Sequence, residues 1–142
     1  MRTSKRNVFS LVLLIGLVVS LTGCGGGPDE DPFGLIQIDG TLKYSDGSLV
    51  QGEKVLLHFN PQTAPLDGKT HPPIGFAEVS TSDGTFGNIS SRGFQNGIVP
   101  GKHKVTVEVL GGSVPSQYTD TALTPLEIDT ANPPFDLTIT KE

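Results

Sequence analysis

The residues of this 142-residue chain that could do chemistry are three histidines, one cysteine, and a scatter of serines and acids. The histidines are His58, His71 and His103. No two of them stand at a His-x-His or His-x₃-His spacing, and no second cysteine could complete a tetrahedral set, so the sequence offers no zinc site. No Gly-x-Ser-x-Gly elbow is present, although Ser, His and Asp from distant positions could converge in space. Gly111-Gly112-Ser113 is glycine-rich, but no lysine follows to cradle a phosphate, and it reads as a loop ending a strand. The Asp-x-Asp-x-Asp-Gly series of a calcium loop is missing, which leaves only a single carboxylate, Asp83 or Asp120, to meet a cation at a loop end. The expectation is therefore no catalytic residue, no metal and no cofactor. Cys24 stands apart: a lone cysteine in a secreted chain cannot form an internal disulfide, so its thiol needs another use.

The segment before Cys24 supplies one. Arg2, Lys5 and Arg6 form a positive start, and Val8 to Leu21 is apolar except at Ser10, Gly16 and Ser20. A helix of that length spans about 21 Å, short of the ~30 Å hydrocarbon core of a bilayer. A charged start, a short apolar run and small residues at its end describe a secretory signal. The run closes in Leu21-Thr22-Gly23-Cys24. All four positions resemble the bacterial lipobox, which implies cleavage between Gly23 and Cys24 and a diacylglyceryl thioether on Cys24, often with a third acyl chain such as palmitate on the new amino group. Two or more chains anchor stably, each buried CH₂ contributing about 0.8 kcal/mol. Gly25, not Asp, follows the cysteine. In Gram-negative lipoproteins an Asp there retains the protein in the inner membrane, so the resemblance leans toward the outer membrane.

Cleavage would remove Arg2, Lys5 and Arg6 and no acid, taking the formal charge from −5 to −8. Such a surface is unsuited to nucleic acid or to a polybasic membrane contact, which leaves the lipid as the anchor. Gly25-Gly26-Gly27 and the acidic Asp29-Glu30-Asp31 follow. Residues 24–34 read as the lipidated cysteine and a flexible acidic tether, and residues 35–142 as one folded domain.

From Leu35 onward the pattern is all-β. Asp-Gly recurs at 39–40, 46–47, 67–68 and 83–84, and Asn-Gly at 96–97, with short apolar or β-branched runs between. The expected strands are Leu35–Tyr44 with a bulge at Gly40, Lys54–Phe59, Gly75–Thr81, Thr85–Ile89, Lys102–Leu110 and Phe135–Thr140. Lys102–Leu110 carries the clearest alternation: Val105, Val107 and Val109 form a dry face and Lys104, Thr106 and Glu108 a wet one. Histidines at the surface or at strand ends are the default expectation.

Several pieces fall in a telling order. Ile38-Asp39-Gly40-Thr41-Leu42 comes first, then Val55-Leu56-Leu57-His58-Phe59-Asn60-Pro61, Ser82-Asp83-Gly84-Thr85-Phe86, and Val99-Pro100-Gly101 running into Val105-Thr106-Val107. This series resembles the carboxypeptidase regulatory-like domain, a prealbumin-like module of secreted bacterial proteins, over roughly residues 35–142. The resemblance implies an antiparallel β-sandwich of about seven strands without peptidase activity of its own. Prealbumin-like hydrolases of the purine pathway end in Tyr-Arg-Gly-Ser, whereas this chain reads Thr138-Ile139-Thr140-Lys141-Glu142.

The expected function is a lipid-anchored, non-enzymatic module of the cell envelope, on the periplasmic or outer-membrane face, with a structural or protein-binding role. A carbohydrate- or peptide-binding accessory lipoprotein would need an exposed aromatic platform, and most of the aromatic residues are in phase with strands and expected inside. An unrecognised hydrolase would need His58 or His103 beside a carboxylate and a serine in a cleft.

Overall fold

The structure, a computed structural model, describes residues 31–141. The signal segment, Gly23, Cys24 and residues 25–30 of the expected tether lie outside the described residues. Among the described residues, no helix is long and apolar enough to cross a membrane.

The described chain is nearly all β. Its strands are β1 (Gly40–Tyr44), β2 (Lys54–Pro61), β3 (Gly75–Val79), β4 (Thr85–Phe86), β5 (Lys102–Leu110), β6 (Glu127–Asp129) and β7 (Phe135–Ile139), with one 3₁₀ turn at Ser116–Thr119. They form a single mixed sheet in the order β6-β5-β2-β3-β4-β1-β7, curled until it is nearly a barrel. Every neighbouring pair is antiparallel except β1 and β7, which run parallel from Gly40↔Phe135 to Tyr44↔Ile139. The expected purely antiparallel arrangement is corrected here. Parallel partners need a long crossover, and β1 and β7, the first and last strands, have the rest of the domain as theirs.

Alternation explains why these segments are strands. In β7, Phe135, Leu137 and Ile139 are buried while Asp136 and Thr138 are exposed, and β3 shows the same two-residue period. Val55, Leu57 and Phe59 of β2 meet Val105 and Val107 of β5 inside the curl, in one core with Leu42, Phe86, Ile89, Ile98 and Leu137. Each such side chain contributes about 1.5–3 kcal/mol when fully buried.

Glycines set two features of this curl. Gly84 (φ +80°) closes the β3–β4 hairpin, where Asp83 Oδ1 accepts from the Thr85 N–H at 3.0 Å. Gly40 is not the bulge expected. It pairs in register with Phe86 on one side and Phe135 on the other, and a Cβ there would collide with the Phe135 carbonyl and the Phe86 ring. It marks close approach of backbones.

Other boundaries also shift. The long first strand shrinks to β1, with Ile36 bridging Ile98 separately, and Thr85–Ile89 shrinks to β4. β6 was missed: three residues after Pro125 are too few to show a period.

Candidate functional site

Register separates the two ends of the sheet. At one end β2 finishes beside His103, β3 begins at Gly75 beside Phe59, and Ile36 bridges Ile98. At the other end lie the Lys54↔Leu110 pair, the β3–β4 hairpin and the Asp46 turn, where Lys141 Nζ donates to Asp46 Oδ2 at 2.7 Å. That ammonium group, with the Ser48 hydroxyl and N–H, holds the Asp46 carboxyl well below the usual carboxylate range.

The described chain joins the fold at the first end, and Arg92 holds it there. Arg92 Nη1 donates to Asp31 Oδ2 at 3.1 Å, Nη2 donates to the His71 carbonyl oxygen, and the guanidinium lies 5.8 Å from the centre of the Phe33 ring. The Asp31 side chain is only 13% exposed. The stretch 31–34, expected to belong to a free tether, is therefore seated on the domain. It borders an open depression of about 730 Å³ lined by Asp31, Leu35, Arg92 and Asn96.

The loop carrying Arg92 is tightly tied. Ser91 donates its N–H and its hydroxyl to Asn96 Oδ1 at 2.8 and 3.1 Å. The Gln95 N–H reaches Ser90 Oγ at 2.8 Å, and the Gly97 N–H reaches the Ile89 carbonyl at 2.8 Å. At its tip Phe94 is 86% exposed. Sequence reasoning missed both the Arg92 clasp and Phe94. A visible signal existed: one large apolar residue inside Ser-Ser-Arg-Gly-Phe-Gln-Asn-Gly, a stretch with no strand period to place it inward.

The histidines do not assemble. His58 points outward from β2, its Nε2 2.9 Å from Glu108 Oε2, with the Phe76 ring edge-on at 5.0 Å. This is the carboxylate neighbour a hydrolase would need, but it stands on the open face of the sheet, and no serine hydrogen-bonds to His58 among the described residues. His103 stands at a strand end, as one of the two default placements has it, but not at the surface. It is fully buried on the valine face of β5, 6.5 Å from Phe59, with Nδ1 3.2 Å from the Gly101 carbonyl and Nε2 without a hydrogen-bond partner among the described residues. Burial pushes its pKa down, against smaller opposing effects of the Gly101 carbonyl and Asp129. His71 is exposed in the loop between β2 and β3.

Among the described residues no three His, Cys, Asp or Glu side chains cluster to hold a metal. Asp83 and Asp120 spend their carboxylates on turns, Asp120 Oδ1 accepting from the Ala122 N–H at 2.7 Å. The aromatic residues divide: Phe59, Phe86, Tyr118 and Phe135 are buried as expected, whereas Phe76 and Phe94 are exposed.

No family model matches the chain. Nor does any curated protein or solved structure.

Proposed function

We propose that this chain is a lipid-anchored, non-enzymatic module of the cell envelope. Its folded part would be a carboxypeptidase regulatory-like sandwich, held through Cys24 on the periplasmic or outer-membrane face and serving a structural or protein-binding role. The observation that carries the reading is the sequence Leu21-Thr22-Gly23-Cys24 behind a charged start and a short apolar run, with no other cysteine in the chain. The acidic balance of the remainder argues against a polybasic membrane contact and so supports the lipid as the anchor. The docking of Asp31 on Arg92 supports it further, since it gives the anchor a defined point of attachment to the domain.

The test is the mass of the protein extracted from bacterial membranes. Wild type should lack residues 1–23 and carry acyl chains on Cys24, and Cys24→Ser should show neither change. A wild-type protein without lipid on Cys24 overturns the proposal.

A rival reading, recognition of a glycan or an extended peptide, draws on the exposed Phe76 ring beside His58. Binding of the purified protein to isolated peptidoglycan or polysaccharide, abolished by Phe76→Ala, would establish it. Equal retention of both proteins would remove it.

A further inference from the structure

We propose that the end of the domain bearing Phe94 lies against the lipid bilayer, with the Phe94 ring seated in the boundary between headgroups and acyl chains. This rests on the lipid-anchor reading and adds an orientation to it.

The first argument is reach. Asp31 lies seven residue steps along the chain from Cys24. Fully extended they span at most about 25 Å. A domain of this size is about 35 Å across, from a radius of gyration near 13 Å. Asp31 is fixed by Arg92 at one end of the sheet, so that end stays near the bilayer.

The second argument is what that end displays. Phe94 lies two residues from Arg92, and its loop is pinned by Ser90, Ser91, Asn96 and Gly97, so the ring is held in water by a built loop. Ile36 and Phe76 are also exposed, and each is bridged by backbone to this segment, Ile36 to Ile98 and Phe76 to Ser90. Ile74, next to Gly75, is 43% exposed. The opposite end presents Asp46, Glu53, Asp83 and Lys141 around Leu110, its one large apolar side chain in water among the described residues. An apolar ring on a rigid loop beside a lipid anchor suits a bilayer interface, where burial of apolar area adds to the hold of the acyl chains. A net negative domain favours a zwitterionic bilayer over an anionic one.

The chain contains no tryptophan, so a single indole reports its own surroundings. Phe94→Trp and, at the opposite end, Leu110→Trp are both exposed replacements that leave the core intact. Each full-length protein, extracted from membranes and checked by mass for lipid on Cys24, is reconstituted into phosphatidylcholine vesicles with and without brominated acyl chains. The expected result is a blue-shifted Phe94→Trp emission quenched roughly twofold by the brominated lipid, with Leu110→Trp unquenched. If lipid is present on Cys24 and Phe94→Trp is quenched no more than Leu110→Trp, the orientation is wrong, the anchor stands, and Phe94 is left to a protein partner. If Cys24 carries no lipid, the anchor itself is wrong and this inference falls with it.

Discussion

His58 on β2 and His103 on β5 belong to one pair of strands, yet their imidazoles have almost nothing in common. His58 shares the outer face with Phe76 and Glu108 and keeps its ring nitrogen satisfied. His103 is one of a row with Val105 and Val107, sealed from water, with Nε2 unpartnered among the described residues. The difference is one of parity. In β2 the buried positions are Val55, Leu57 and Phe59, and His58 falls between them. In β5 the buried odd positions begin at His103 itself. A strand assigns chemistry to a residue by the face it receives, since a step of one residue crosses from the core to water. The same parity keeps the two histidines from joining a single site.

The sharpest way to break this comparison is to place one charge on each face of β5. Val107 is 1% exposed within the main core. An unpaired carboxylate there costs several kcal/mol. A domain of this size has only about 5–15 kcal/mol in total, so Val107→Asp should unfold the protein or lower its melting temperature by many degrees. The outer face was expected to be wet at Thr106, but Thr106 is only 8% exposed. It lies between His58, its registered partner, and the Thr124–Leu126 segment, where Thr124 Oγ1 donates to the Val105 carbonyl and Leu126 accepts from the Val105 N–H. Thr106→Asp should therefore cost about 1–3 kcal/mol, more than a surface change and less than Val107→Asp. Thermal melts of the two variants rank the faces. Equal loss from both would mean that parity does not govern this strand.

How far the sequence revealed these features follows from the same rule. Wherever a strand is half-buried, two-residue alternation showed it: β2, β3, β5 and β7 all lie inside their expected runs to within two residues. The inward position of Phe86 and the turns at Asp46-Gly47 and Asp83-Gly84 were equally visible, because they depend on local backbone preferences. Long-range pairing was not. Nothing local in Gly40–Tyr44 says that its neighbour is β7, or that position 40 must lack a side chain to admit the Phe135 carbonyl and the Phe86 ring. The burial of Thr106 likewise has no local signal, and the segment that bonds to the adjoining Val105 lies about twenty residues further on. The Arg92–Asp31 clasp joins positions 61 residues apart and leaves no periodic trace. The buried state of His103 was legible in principle, since it continues the Val105, Val107, Val109 series by one step of two.

The smallest expected effect, and the one that depends on pH, belongs to His103. Its ordinary pKa is 6.5, and burial lowers the folded value below that. Below about pH 6.5 the unfolded chain takes up a proton that the folded core resists, so folding stability falls as pH drops from there toward the lowered folded value. Above pH 6.5 both states are neutral and this contribution is flat. Asp46, Asp67 and Asp83 also have lowered values, but they act near and below their ordinary 3.8 and do not produce the change expected around pH 6 from His103. His103→Leu removes the titrating group together with the unpartnered Nε2, whose burial without a hydrogen bond costs about 1–3 kcal/mol. That relief offsets the altered shape of the side chain against Phe59. The variant should melt near wild type at pH 7.5 and above it at pH 5.5, because only the wild type carries the loss that His103 brings between the two. Melting curves of both proteins at the two pH values decide the matter. A parallel decline in both would assign the pH dependence elsewhere, and the contrast between the two histidines would then be one of packing without a consequence in proton binding.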